Sequence, residues 1–308
     1  MRLPWIQLAI GAVVAFAVFT GGVLYPRWRE AVDKNRDSRA DPHHIAGDLY
    51  FVGAPAITSF LLLGPAGDVL IGGGDPDSGH KIIDNIQQLG FDIKNVRILL
   101  ATDPHMDEAG GLAELQKASG AELWASAANA EVLAAGGHND PSLVFLPYRL
   151  LQRAGVNDYL PPRVDHRVTD GTIVRLGPLA LTAHMTPGHS PGCTTWTFTV
   201  RDHGRDLHVV HRCGVSVPYG ASLVDPQTYP GVRGDFERTF PTLRNLPVDI
   251  WLTSRGQEYG RFRKFDASLH SEDPVAPFID PKGYLESIDR AEADFRKQLA
   301  EQQQRQRQ

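Results

Sequence analysis

Asp103-Pro104-His105-Met106-Asp107-Glu108 follows the apolar run Ile98-Leu99-Leu100 and precedes Ala109-Gly110-Gly111-Leu112. A continuous aliphatic run marks a strand buried on both faces. A rigid strand of that kind aims the loop leaving it at the edge of a sheet, where function concentrates. This loop holds three carboxylates and one imidazole within six residues. A borderline cation such as zinc accepts both kinds of ligand, and the spacing is that of a loop able to serve two metal ions.

Reading outward, Leu49-Tyr50-Phe51-Val52, Ser59 to Leu63 and Val69 to Ile71 are short strands separated by Gly, Pro and Ala turn chemistry. Ile82, Ile83, Ile86 and Leu89 recur at helical spacing, with Gly90 as the stop. Val96 to Ala101 is the buried strand, and a helix is predicted from Ala109 to about Ser119. A short strand at Leu123-Trp124 and a helix from Ala127 to Ala135 follow. The second half repeats the plan with strands at Thr172–Leu176, Leu179–His184, Thr194–Val200 and His208–Cys213. A helix at Phe236–Leu243, the strand Val248–Thr253 and a helix from Tyr284 to about Leu299 complete it. Leu285, Ile288, Ala291, Phe295 and Leu299 form the stripe of that last helix. Strands clustered at both ends with helices between them imply two sheets sandwiched by helices.

With 308 residues the chain can bury a full core, and 42% apolar with 22% charged residues is an ordinary globular composition. A net charge of −5 gives no basic footprint, which argues against a nucleic-acid partner. Two cysteines, Cys193 and Cys213, exclude a disulfide scaffold and a four-cysteine zinc site, and leave the redox compartment undecided. Trp5 through Tyr25 is almost wholly apolar, long enough to cross a bilayer, with aromatic residues at its ends. Ala15-Phe16-Ala17 resembles a signal-peptide cleavage site, but the apolar run continues to Leu24, which favours an uncleaved anchor. The expected organisation is therefore a membrane anchor or signal segment over 1–26 and a charged linker over 27–44. A domain over 45–300 and a frayed tail over 301–308 follow.

Two further strand-to-loop transitions carry candidate groups. Thr186-Pro187-Gly188-His189-Ser190-Pro191-Gly192 holds a single histidine among glycines and prolines, and Val248 to Gly256 delivers Arg255. Gly72-Gly73-Gly74 lacks the Gly-Lys-Ser/Thr of a phosphate loop and reads as a turn. The remaining histidines, including His43 and His44, have no recognisable partners, and His184, His208 and His211 lie on strands facing solvent or core.

Together these segments resemble the metallo-β-lactamase superfamily, and within it the subclass B-three β-lactamases. The resemblance runs from about Ile45 to Leu299 and includes Ile45 to Gly53, Ala109 to Gly120 and Thr186 to Thr194. It continues through Val217-Pro218, Phe240 to Arg244 and Pro277 to Asp280. It implies an α+β fold, a four-layer αββα sandwich with the site at one edge of its two sheets, behind an N-terminal membrane segment. The family's His-x-His-x-Asp-His loop lands on Asp103, His105, Asp107 and Glu108. The family's other two ligand histidines land on His189 and Arg255, and a supporting aspartate lands on Gly72. Cys213 lies at or one residue before a position some members turn toward metal; a small buried hydrophobe is the plainer expectation there.

The resemblance thus implies an altered metal set of Asp103, His105, His189, Asp107 and Glu108, with Asp107 and Arg255 as the catalytic pair. Asp103, His105 and His189 would hold one ion, zinc or alternatively iron, with an open position for water. A guanidinium cannot ligate, so Arg255 is expected to pair with Asp107 or Glu108 where a second ion would sit. The implied activity is hydrolysis of a β-lactam or related cyclic amide or ester, a small-molecule substrate whose carboxylate Arg255 could hold. The alternative is a non-catalytic relative that binds a small anionic ligand or a protein partner. An export-type segment implies the envelope of a bacterium, with the domain in the periplasm.

Overall fold

In a computed structural model the described residues are 41–143 and 158–308. Ala40–Gln308 is one compact unit, and Met1–Arg39 is a second that lies outside the described residues. The expected segment over residues 5–25 therefore falls outside them too. Among the described residues no helix is long and apolar enough to cross a membrane.

Two sheets carry the fold, which is mixed α/β. The seven-stranded sheet runs in chain order: β1 (His43–Ala46), β2 (Leu49–Phe51), β3 (Phe60–Leu62), β4 (Asp68–Ile71), β5 (Val96–Leu100), β6 (Glu122–Ser126) and β7 (Val164–Val168). Its first four strands pair antiparallel, as tight turns permit, and β4 to β7 pair parallel. Parallel pairing needs crossovers, supplied by α1 (Gly79–Gln88), α2 (Met106–Ala109) with α3 (Leu112–Ser119), and, on the way to β7, by a segment that includes α4 (Ala127–Ala134). The five-stranded sheet comprises β8 (Ile173–Leu176), β9 (Leu179–Met185), β10 (Thr194–Asp202), β11 (Arg205–Arg212) and β12 (Ile250–Thr253). Strand β12 joins parallel to β11 after α5 (Val232–Arg244), and α6 (Arg261–Leu269) and α7 (Pro281–Gln306) follow.

Side-chain alternation in the first sheet divides the core in two. Phe60, Leu62, Ile98 and Leu100 join Trp196, Phe198 and Val209 of the second sheet in one cluster. Leu61, Val96 and Leu99 point the other way, onto Ile82 and Ile86 of α1 and Leu112 and Leu115 of α3. Burial on both faces is why Ile98 to Leu100 reads as an unbroken apolar run, while Arg97 before it is exposed.

Several boundaries differ from the sequence reading for local reasons. The helix expected from Ala109 to Ser119 is two helices broken at Gly110-Gly111, where a Cβ on Gly110 would stand 2.4 Å from Pro76 N. The domain begins two residues earlier than expected: His43, placed in the linker, stacks on Phe265 at 3.9 Å, and His44 Nε2 lies 2.8 Å from Gly47 O. The tail is helical to Gln306 rather than frayed from 301, because the Gln302 amide donates to Ala221 O and accepts from Leu223 N. On α7 it is Tyr284 that is buried, and Leu285, assigned to the stripe, is 43% exposed. Strand β7 and helix α6 had no counterpart in the sequence reading. Val164-Asp165-His166-Arg167-Val168 alternates with charged residues, as an edge strand does, and Arg261 to Leu269 is mostly polar.

Candidate metal centre

Strand β5 ends in a loop tied to both sheets. Thr102 O accepts from Thr194 N at 2.9 Å and from Asn129 Nδ2 at 3.1 Å, and the Trp196 indole donates to Ala101 O at 3.1 Å. The next residue, Asp103, is 1% exposed and its Oδ1 accepts the His105 backbone N–H at 2.8 Å. That Asx-type turn fixes the carboxylate against the imidazole two residues on, with His105 Nδ1 2.8 Å from Asp103 Oδ1. Tyr159 steadies the loop from outside by donating its hydroxyl to Pro104 O at 2.7 Å.

His189 arrives from the β9–β10 loop. Gly188 has a φ of +138, and a Cβ there would stand 2.8 Å from the Phe236 ring, so glycine is required. Thr239 donates to Pro187 O at 2.6 Å and Ser126 to Gly192 O at 2.7 Å, which clamp the loop at both ends. His189 Nδ1 lies 2.7 Å from Ser216 O, so it carries the proton and leaves Nε2 as the lone-pair donor. The two imidazoles meet edge to face with centroids 4.9 Å apart.

Ligand atoms of Asp103, His105 and His189 all lie within 4.8 Å of one another. Behind His105 stands a second Asp-Pro-x turn, Asp140-Pro141-Ser142, in which Asp140 Oδ1 accepts from Ser142 N at 2.8 Å. His105 Nε2 lies 2.9 Å from Ser142 Oγ and 3.3 Å from Asp140 Oδ2. Two copies of one turn thus press carboxylates against opposite sides of one ring. Sequence reading missed Asp140, Ser142, Tyr159 and Ser216. Asp-Pro occurs seven times in the sequence, so nothing in it says that these two copies meet.

Electrostatics follow from this packing. Burial alone would raise the Asp103 carboxyl, but His105 and His189 hold it well below the usual carboxylate range. Burial likewise opposes charge on His105, yet Asp103 and Asp140 raise it well above its ordinary value. Burial lowers His189 despite Asp103. The donors fit one divalent ion: His189 presents Nε2 while Ser216 O holds its Nδ1. His105, its Nε2 held by Ser142 and Asp140, would present Nδ1 in exchange for the proton it shares with Asp103 Oδ1.

Asp107 and Glu108 stand elsewhere. Arg255, on the turn after β12, places Nη2 2.5 Å from Asp107 Oδ2. Glu108 is 4% exposed and is capped on both oxygens, by Thr102 Oγ1 at 2.9 Å and Ser254 Oγ at 2.5 Å. Burial, with Asp103 and Asp107 adding to it, pushes its carboxyl up to about 7. Neither residue belongs to a metal-capable cluster among the described residues. The cysteines are not separate: Cys193 and Cys213 form a disulfide, so neither is a free thiol. The β10–β11 ladder, with Trp196 opposite His211, brings their backbones together.

Residues 52–202 match the metallo-β-lactamase superfamily. FEZ-1, a metallo-β-lactamase from Legionella gormanii, is 31% identical, with 86% of this chain and 97% of that chain covered at a TM-score of 0.80. The chain belongs to the metallo-β-lactamase superfamily. BJP-1, a subclass B3 metallo-β-lactamase of Bradyrhizobium japonicum, is 32% identical over 88% of this chain and 97% of that one, TM-score 0.79. A Cronobacter sakazakii metallo-β-lactamase with a HARLDQ motif is 33% identical over 86% of this chain and 99% of that one, TM-score 0.78. Membership supports a metal-dependent hydrolase at the level of the family, and the fold implies a divalent metal, typically zinc.

Proposed function

We propose that this protein is a mononuclear metal-dependent hydrolase of β-lactams or related cyclic amides and esters, built on a four-layer αββα sandwich. The observation that carries the reading is the convergence of Asp103, His105 and His189 within 4.8 Å. Zinc held by Asp103, His105 and His189 would supply Lewis acidity toward a water and a substrate carbonyl. The chain's own residues do the rest. Asp107 Oδ1, the carboxylate oxygen not paired at 2.5 Å with Arg255, orients the attacking water and accepts its proton. Arg255, 42% exposed at its side chain, binds a substrate carboxylate, a group that guanidinium takes in bidentate fashion. Glu108 is proposed as a support that spaces Thr102 from Ser254 rather than as a ligand. The apolar segment at residues 5–25 supports a location for the domain in the bacterial envelope.

A second reading, a non-catalytic relative that binds small anions, draws support from the Arg255–Asp107 pair, which engages the proposed proton acceptor. Metal content separates the two. The full chain is exposed to zinc and to iron, desalted, and assayed for metal per chain, alone and as His189→Ala. One retained ion lost in the variant, with turnover of a chromogenic β-lactam, supports the hydrolase; no retained ion supports the second reading.

A further inference from the structure

Asp103 faces two ways. Its Oδ1 meets His105, while its Oδ2 lies 4.0 Å from Cys193 Sγ and 4.0 Å from Cys213 Sγ. Ligand atoms of Asp103, Cys193 and Cys213 lie within 4.8 Å of one another, so one carboxylate is shared by two overlapping ligand sets. All three residues are essentially buried, at 1%, 0% and 1% exposure. Cys213 Sγ also lies 3.3 Å from Thr102 O, and Cys193 Sγ 3.4 Å from Gly214 O. Gly214 packs on the other metal-site histidine: a Cβ there would stand 2.7 Å from His189 Cδ2. The sulfurs thus sit directly behind the Asp103–His105–His189 centre.

We propose that the dithiol form of this chain holds a thiophilic ion, zinc or copper(I), on Cys193, Cys213 and Asp103, and that disulfide closure and ion capture there exclude each other. Two thiolates and a carboxylate make a softer set than two imidazoles and a carboxylate, and softness selects these ions. Buried beside the ionised Asp103, two thiolates need a cation to offset the clustered negative charge. The ion takes the place of the two thiol protons. Closure runs the other way: a reactive small-molecule disulfide accepts two electrons and becomes two thiols, while Cys193 and Cys213 release two protons and join. Once joined and buried, the sulfurs are out of reach of an attacking thiolate. The state that chooses is therefore the chain before closure. The proposal rests on the hydrolase reading only in that the two centres share Asp103.

The test uses the full chain, reduced by a phosphine in denaturant and refolded without oxygen in the presence of cobalt(II), against the oxidised chain treated alike. The reduced chain is expected to bind one cobalt with thiolate-to-cobalt charge-transfer absorption, and the oxidised chain to show none. The band persists in His189→Ala, which removes the other centre. In Cys193→Ser it loses about half its intensity, and affinity falls by more than the roughly 10–100-fold that loss of an outer partner costs. Zinc slows closure by oxidised glutathione at least about tenfold under the same conditions, since a coordinated thiolate must leave the ion first. Absence of the band overturns the proposal whether or not the reduced chain regains its fold. So does a band of equal affinity in denaturant, or closure that zinc leaves unchanged. Failure of the hydrolase reading looks different: the oxidised chain would hold no ion while the reduced chain still shows the band.

Discussion

Arg255 Nη2 stands 2.5 Å from Asp107 Oδ2, and the pair is half-shielded, with 42% and 17% of the two side chains exposed. A guanidinium placed where a ligand histidine stands in the resemblance contributes fixed positive charge and no lone pair. The carboxylates outweigh the effect of burial and raise the Arg255 pKa, so the group is charged at every working pH. In the mononuclear reading proposed above, this internal cation takes the place of a second ion.

Restoring imidazoles should restore the second ion. Glu108→His with Arg255→His frees Asp107 and adds two nitrogen ligands around it. Metal per chain is expected to rise from one zinc to two by elemental analysis. Circular dichroism checks that the fold survives without the hydrogen bonds that Thr102 and Ser254 donate to Glu108. A double variant that stays at one zinc would show that the surrounding backbone, and not ligand identity, excludes the second ion.

Asp140 is the test of how the first ion is held. Its carboxylate lies 3.3 Å from His105 Nε2, and it fixes Ser142 through two hydrogen bonds of 2.8 and 2.6 Å. Outer carboxylates of this kind typically carry 10–100-fold in affinity. Asp140→Asn keeps the shape and removes the charge, so zinc affinity measured by chelator competition is expected to fall by about that factor, with little change in thermal midpoint. An unchanged affinity would assign the orientation of His105 to Ser142 alone.

How far the sequence told this in advance depended on the range of the interaction involved. The buried strand at Val96–Leu100 and the loops bearing His105 and His189 were legible because periodicity and Gly-Pro flanks are local signals. That Arg255 pairs with Asp107 or Glu108 was legible through chemistry, since a guanidinium beside carboxylates pairs with them, but which of the two it takes, Asp107, was not. Asp140 lies 35 positions beyond His105, in a stretch with no motif, and Cys193 and Cys213 are 20 apart with nothing to mark them as partners. Asp140 reaches His105 from the connection between β6 and β7, and the cysteines meet through the pairing of β10 with β11, so both contacts are tertiary rather than local. Helix α6 was missed because Arg261 and Lys264, each 2% exposed, occupy its buried face, where an apolar stripe was sought.

Gly214 should prove as restrictive as a ligand. A methyl group at this position would stand 2.7 Å from His189 Cδ2 and 3.2 Å from Nε2, closer than real Cβ contacts allow, so the ring must move. Gly214→Ala is expected to weaken zinc binding at least about tenfold, an estimate from the cost of misorienting a ligand. The fold persists because the clash is with a side chain rather than with backbone. Loss of zinc affinity with an unchanged thermal midpoint is the expected pair of results; retention of full affinity would mean that the His189 ring has room to turn.

Acid sensitivity should trace to a buried histidine outside the proposed ligand sets. His211 is 1% exposed, its ring meets Phe60 edge-on at 5.3 Å, and neither ring nitrogen finds a partner on another described residue. Burial first, and the Arg212 charge second, lower its pKa from 6.5 to about 3. Burial likewise lowers His43 to about 4. A base whose folded pKa lies below its unfolded value binds more protons when unfolded. The contribution of these two histidines to stability is therefore complete above about pH 6.5 and declines as pH falls toward 3. At about pH 4.5 the His211 share of that loss is on the order of 2 kcal/mol. His211→Phe keeps the aromatic contact and removes the proton site. Urea unfolding at about pH 7.5 and 4.5 is expected to show the variant losing about 2 kcal/mol less than the parent, with the remaining slope set by His43 and, in the opposite direction, by Glu108. Equal losses in the two proteins would place the acid lability elsewhere.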